Sequence, residues 1–214
     1  MQTICFVNNQ EIKKNQDMVI DELINSEIIN ITFNKLNSDE ILKILSDDCQ
    51  IHSSNSQYLK KEKKFFIAFH LNLVKLLICC TIGKNAFTES KCQSYLKLIN
   101  IEKVIKSINC PIELKEIYVK FLYHCYLNTE NELNEVFLHS SIWSIFESFI
   151  KDINFLLSIK QSTEKHFEML YSNVELQSYV ANNIVDVVCE FFSSSQLKNI
   201  YISQVIIFKF NKGL

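Results

Sequence analysis

Glycine and proline, the residues that most often reverse a protein chain, are nearly absent from this sequence. Among 214 residues the only glycines are Gly83 and Gly213, and the only proline is Pro111. A β-sandwich or barrel needs turn residues at intervals of roughly 8–12 positions. Phosphate-binding loops need closely spaced glycines. The sequence therefore argues against these classes and favours helices joined by short polar turns.

Apolar residues between positions 115 and 152 recur at steps of three and four, the spacing that places side chains on one face of a helix. The recurring residues are Ile117, Phe121, Leu122 and Cys125, and then Trp143, Phe146, Phe149 and Ile150. Between the two groups, Thr129 and Glu132 have the spacing of a capping box, which predicts a helix start. We expect three short-turned amphipathic helices here.

The stretch from Phe65 to Ile82 is the longest apolar run, and it predicts a buried helix that begins near Lys64. Gly83 follows directly, where a left-handed residue commonly ends a helix. Lys75 lies in the middle of this run, and a lysine at mid-bilayer costs about 2.5–3.5 kcal/mol, so we expect no transmembrane span. Residues 28–33 alternate loosely and predict a short extended piece. Residues 48–63 are polar and serine-rich and predict an exposed connection.

Helices of this length have apolar faces too large for one pair to bury. They predict an all-α fold, an α-solenoid of stacked antiparallel helix pairs with roughly 40–47 residues per unit, as in armadillo-like proteins. We expect residues 1–214 to form part of one such helical-repeat region. Both ends of the sequence are apolar, so we also expect the chain to be cut from a longer one.

No residue pattern predicts a catalytic, cofactor-binding or metal-binding site. The eight cysteines are irregularly spaced without a CxxC pair, which favours reduced, buried side chains. His124 and Cys125 are adjacent on a helix and point about 100° apart, so neither activates the other. A formal charge of −2, with 22 lysines and no arginine, gives no support for nucleic-acid binding. We therefore expect neither an enzyme nor a cofactor.

The stretch from residue 115 to residue 152 resembles the central cytosolic, armadillo-like region of inositol 1,4,5-trisphosphate receptors. The matching positions are His124, Cys125, Tyr126, Thr129, Glu130, Glu135, Trp143, Phe146, Glu147 and Phe149, with Asn128 where the family usually has aspartate. Upstream matches are Leu76 to Asn85, Thr88, Glu89, Lys91 and Cys92. Near the two ends, Lys13 to Met18 and Phe191 to Ser194 also match. Ryanodine receptors share the general architecture, but the likeness to inositol trisphosphate receptors is greater.

The resemblance implies a fragment of a ligand-gated calcium-release channel of the endoplasmic reticulum, from the cytosolic solenoid between the ligand-binding core and the pore. It implies a coupling role, in which the stack transmits ligand occupancy to the gate. The implied partners are the rest of the receptor chain and neighbouring subunits of a homotetramer. The absence of arginine weakens any direct role in binding the inositol phosphate.

Two alternatives remain open at this point. The chain is a stand-alone armadillo-like scaffold that binds a protein along its concave face, or it is a fragment of a non-functional or mispredicted gene. The sequence that flanks this chain in its genome distinguishes them. A downstream channel domain favours the receptor, whereas a stop codon after Leu214 favours the scaffold.

Overall fold

The computed structural model describes residues 2–35, 37–48, 56–108, 110–161 and 168–193. These residues form the α-helices α1 Gln2–Asn25, α2 Ile28–Lys35, α3 Ser38–Asp48, α4 Ser56–Thr81, α5 Ala86–Tyr95, α6 Leu98–Lys106, α7 Ile112–Leu122, α8 Asn134–Leu138, α9 Ser140–Gln161, α10 Glu168–Tyr179 and α11 Val185–Ser193. Two π-helical segments accompany them: π1, Tyr123–Leu127, extends α7, and π2, Val180–Ile184, joins α10 to α11. The described residues contain no strand, so the all-α prediction is confirmed.

Six of the helices, α1, α2, α3, α4, α6 and α7, pack against the third helix further along the chain. In one row α1 contacts α4, α4 contacts α7, and α7 contacts α10; in a second row α3 contacts α6 and α6 contacts α9. Helices α2 and α5 make the equivalent contact on a third line. The rows are joined through α3 and α4, α6 and α7, and α9 and α10. The predicted solenoid-like stack is confirmed, and each step within the described residues comprises three helices.

The hydrophobic core runs along the stack and contains buried side chains from the helices of both long rows. Its largest fully buried side chains include Leu77 of α4, Ile101 and Ile105 of α6, Tyr118 and Phe121 of α7, and Phe149 of α9. Burying a side chain of this size stabilises a fold by about 1.5–3 kcal/mol relative to leaving it in water. The stack is therefore held chiefly by apolar contact between successive units.

An aromatic cluster joins helices α8, α9 and α11. Phe191 of α11 is fully buried, and its ring centroid lies 4.8 Å from that of Phe146, 4.9 Å from that of Phe137 and 5.6 Å from that of Trp143. Two of these contacts are edge-to-face, the arrangement that aromatic quadrupoles favour. The cluster thus fixes α11 against α8 and α9.

The structure differs from two sequence expectations for residues 28–64. The extended piece predicted for residues 28–33 is wrong, because α2 is helical and buries Ile29 and Thr32, which are three residues apart. Tertiary packing has overridden the β-branched composition. Helix α4 begins at Ser56, eight residues before the expected start. Of the predicted connection over 48–63, residues 49–55 lie outside the described part of the chain.

His70 is a buried histidine on α4 that the stack holds in its neutral form. It is 1% exposed, its Nε2 lies 2.8 Å from the hydroxyl oxygen of Tyr118, and its ring packs edge-on against Phe33. Its Nδ1 has no hydrogen-bond partner within the described structure. Burial lowers the pKa of His70 from 6.5 to about 4, because removal from water disfavours the imidazolium.

We expect the stability of the chain to fall as the pH falls from about 6.5 to about 4, with His70 alone accounting for about 3 kcal/mol. The unfolded chain protonates this histidine at the higher pH, and the folded chain does so only at the lower one. Urea unfolding at a series of pH values measures the slope. His70→Gln should flatten it, and an unchanged slope in that variant would contradict this assignment.

Candidate functional site

The turn between α4 and α5 is the centre of the most connected polar group in the described structure. Gly83 has a φ of +91° and Lys84 a φ of +64°, so two successive residues are left-handed. A Cβ at Gly83 would meet nothing within 4 Å, which means that glycine is required here by the backbone conformation and not by lack of space. This confirms the predicted helix stop.

Glu89 of α5 is 3% exposed and accepts hydrogen bonds from the backbones of two different turns. Its Oε1 accepts from the backbone N–H of Asn85 at 2.9 Å, before α5. The backbone N–H of Glu130, after π1, donates to both carboxylate oxygens at 3.2 and 3.1 Å. Burial raises the pKa of Glu89, and these backbone donors partly offset that rise. One carboxylate thus joins two turns that are distant in sequence.

The Glu130 side chain, in the second turn, accepts hydrogen bonds from the start of α5 and from α1. Its Oε2 accepts from the backbone N–H of Ala86 at 2.9 Å, and its Oε1 accepts from Lys13 Nζ of α1 at 2.7 Å. The Lys13 hydrogen bond lowers the pKa of Glu130, with a further contribution from the Ala86 amide. Because both side chains are partly exposed, the ion pair itself stabilises the fold little. Its geometric effect is to bring α1 into the group.

Asn85 and Gln16 complete the contact with α1. The buried Asn85 Nδ2 donates to Asp17 Oδ1 at 2.9 Å and to Gln16 Oε1 at 3.2 Å. Gln16 Nε2 donates to the carbonyl oxygens of Ile82 at 2.8 Å and Cys79 at 3.2 Å, at the end of α4. Those carbonyls have no partner within their own helix, so Gln16 caps α4 from a neighbouring helix. We call Lys13, Gln16, Asp17, Asn85, Glu89 and Glu130 the coupling junction.

Hydrogen bonds from α5 continue the contact to π1. Gln93 Nε2 donates to the carbonyl oxygen of Cys125 at 2.6 Å, and the Tyr126 hydroxyl donates to the carbonyl oxygen of Leu96 at 2.9 Å. The sulfur of Cys125 lies 3.6 Å from the hydroxyl oxygen of Thr81. The junction and π1 therefore tie α1, α4, α5 and α7 into one polar group.

The capping box predicted at Thr129 and Glu132 is wrong. The Thr129 hydroxyl donates to the carbonyl oxygen of Asn131 at 2.7 Å, and the next helix begins only at Asn134. The reason is that residues near Thr129 hold a turn against α5, through the backbone amide of Glu130. In the sequence, Glu89 and Glu130 stand out as helix-start residues and as parts of the family pattern, and nothing there predicts the contact between them.

The chemistry of the junction is structural. Its buried carboxylate is occupied by backbone donors, and no group of three or more His, Cys, Asp or Glu residues able to hold a metal ion occurs in the described residues. The six cysteines whose side chains the structure describes are free, and four of them are buried. Burial raises the pKa of the Cys80 thiol to about 12, which keeps it protonated and unreactive. Among the described helices, none has the length and apolar character that crossing a membrane requires.

Fold and junction together define an all-helical, solenoid-like chain whose successive units are tied by polar contacts at their turns. The chain is 26% identical over 196 residues to the inositol 1,4,5-trisphosphate receptor itr-1 of Caenorhabditis elegans. The match covers 91% of this chain and 6% of that receptor, so the chain spans a small part of its relative. No family model matches the chain. The similarity supports a region related to inositol trisphosphate receptors.

Proposed function

We propose that this chain is part of an inositol 1,4,5-trisphosphate-gated calcium-release channel and acts there as a coupling element. In this role it lies on the cytosolic face of the endoplasmic reticulum membrane. It contacts the rest of the receptor chain and neighbouring subunits of a homotetramer. It transmits ligand occupancy from the binding core to the pore, and it carries out no catalysis itself.

One observation carries this proposal: the residues that resemble the receptor family meet in space. Lys13 and Glu130 are 117 residues apart in sequence, yet they form one hydrogen bond, and Asn85 and Glu89 connect to the same group. These residues come from three of the four separate segments in which the resemblance was found. Residues that only filled a core would not need to gather at one polar junction between units.

The physical basis of the proposed coupling is the way the units are joined. Between units, apolar packing resists small deformations, so a displacement at one end is passed on as a rigid shift of whole helices. The coupling junction fixes the orientation of α1 and α4 relative to α5 and α7. A displacement of α1 is therefore passed on to α5 and α7 and is not lost as movement of the turns.

A receptor chimera tests this function directly. We expect deletion of the corresponding segment from a full receptor to leave inositol trisphosphate binding intact and to abolish ligand-evoked calcium release. Insertion of this chain in its place should restore release, and insertion of the chain carrying Glu89→Ala should restore it less. Radioligand binding and calcium flux from microsomes measure the two properties. Unaltered gating after the deletion would defeat the proposal.

The stand-alone scaffold remains the second candidate, and the outer face of α4 favours it. Phe65, Phe69 and Leu76 are spaced by four and seven residues on this helix and are 67%, 41% and 38% exposed. An apolar stripe with this spacing is the kind of surface that an amphipathic helix covers. A full-length transcript separates the candidates, because only the receptor requires pore-forming sequence downstream.

A further inference from the structure

Helix α4 presents a group of aromatic side chains to solvent. Phe65 is 67% exposed, Phe66 50% and Phe69 41%, although Val74 and Leu77 on the opposite face of the same helix are fully buried. The rings of Phe65 and Phe66 lie 6.1 Å apart between centroids, and Phe69 follows one turn later. Single exposed apolar residues are ordinary on a protein surface, whereas an adjoining group of this kind marks a binding surface for a protein or a membrane.

The same helix carries a local positive charge. Lysines occupy positions 60, 61, 63 and 64, directly before Phe65, and Lys75 is exposed further along α4. Glu62 is the one acidic residue in the sequence of this helix, so α4 has a formal charge of +4. The chain as a whole has a formal charge of −2. The positive charge is therefore concentrated beside the exposed phenylalanines.

The combination of lysines and phenylalanines favours a bilayer over other occupants of this face. Helices that lie on membranes combine lysines with phenylalanine or leucine, and a cluster of four to eight basic residues on such a helix is typical of binding to anionic lipids. Position 60 and Phe69 are about 14 Å apart along the helix axis, so both groups reach one small area of a membrane surface. A purely apolar partner gains nothing from the lysines, and a purely acidic one gains nothing from the phenylalanines.

We propose that α4, from position 60 to Phe69, binds the surface of an anionic lipid bilayer. The lysines pair with the negative groups of the lipid heads, and Phe65, Phe66 and Phe69 enter the boundary between the heads and the acyl chains. The helix lies along the surface and does not cross the bilayer. Such binding is independent of the proposed coupling role, because a receptor segment and a stand-alone protein would use the same surface.

Flotation of the full 214-residue chain with lipid vesicles tests the proposal. One set of vesicles contains phosphatidylcholine alone, and the other contains about 30% phosphatidylserine as the anionic lipid. We expect the chain to bind the anionic vesicles at least about tenfold more tightly than the neutral ones, because the lysines add their attraction only there. Raising the salt concentration from about 0.1 M to about 0.5 M should weaken this binding, since salt screens exposed charges.

Replacement of the four clustered lysines by glutamine tests the charged part of the surface. A lysine near an anionic membrane contributes about fivefold to the affinity, so the quadruple variant should bind the anionic vesicles at least about 100-fold more weakly. The matched control removes the same total charge at exposed positions elsewhere and should stay within about threefold of the parent chain. The control substitutions are Lys14→Gln, Lys91→Gln, Lys97→Gln and Lys151→Gln.

Replacement of two phenylalanines tests the apolar part of the surface. The double variant Phe65→Ser and Phe69→Ser should bind the anionic vesicles about tenfold or more weakly than the parent chain, because serine gains little by leaving water. Both positions are exposed, so the variant should fold, and circular dichroism checks this. Phe155→Ser, at a phenylalanine of α9 that is 60% exposed, is the control and should bind as the parent chain does.

Four results would overturn the proposal. The first is no binding to vesicles, or equal binding to neutral and anionic vesicles. The second is equal binding by the lysine variant and its charge-matched control, which would place the charged contact elsewhere. The third is a double phenylalanine variant that binds as the parent chain does. The fourth is binding to soluble poly-glutamate without binding to vesicles, which would identify this face as a site for an acidic protein segment.

Discussion

Replacement of Phe191 by alanine is expected to lower the free energy of unfolding by about 4 kcal/mol. Phe191 is fully buried, and its ring contacts those of Phe137, Trp143 and Phe146. Alanine removes that contact area and leaves a cavity that α8, α9 and α11 fill only in part. Urea unfolding followed by circular dichroism and by Trp143 fluorescence measures the loss, because this tryptophan belongs to the cluster itself.

Phe155 of α9 offers a matched control for that substitution. It is the same residue type on a helix, but 60% of its side chain is exposed. Phe155→Ala should therefore change stability by no more than about 0.5 kcal/mol. Equal effects of the two substitutions would mean that α11 does not pack as the structure shows.

Replacement of Glu89 by alanine is expected to lower the free energy of unfolding by about 3 kcal/mol, the second largest effect. The substitution leaves the buried backbone amide of Asn85 and the partly buried backbone amide of Glu130 without their acceptor. For a chain of this size, such a loss lowers the melting temperature by roughly 6–12 °C. Differential scanning calorimetry measures the shift, and the unfolding of α1 should accompany it.

Two further substitutions separate the contributions at Glu89. Glu89→Gln keeps one acceptor oxygen and removes the charge, so it should destabilise by about half as much. Glu147→Ala, at an exposed glutamate of α9, should have an effect below about 0.5 kcal/mol. A Glu89→Ala protein as stable as the Glu147→Ala protein would contradict the assigned role of this carboxylate.

Local signals in the sequence predicted the helices and one of their ends. Periodic apolar residues over 115–152 correspond to α7, π1 and α9, and Gly83 ends α4 with the expected left-handed backbone. These features depend on neighbours within four residues, which a sequence shows directly. The break inside the α7 helix at Tyr123 is different, because a π segment has no distinctive composition.

The sequence did not predict the coupling junction, because most of its contacts join residues that are far apart in the chain. Thr129 and Glu132 have the spacing of a capping box, yet Thr129 bonds within its own turn and Glu130 bonds across to α1 and α5. A carboxylate that accepts from distant backbone amides leaves no local pattern. The resemblance and the helix-start patterns both drew attention to these positions, but neither indicates that the Glu89 carboxylate accepts from the Glu130 backbone amide.

Native-state hydrogen exchange at two amides is the most direct test of the central claim, that Glu89 joins two distant turns into one cooperative unit. If Glu89 joins the two turns, the backbone amides of Asn85 and Glu130 are protected to the same free energy of opening, and both lose protection in Glu89→Ala. An unprotected Glu130 amide in the parent chain, or loss of protection at Asn85 alone in the variant, would contradict it.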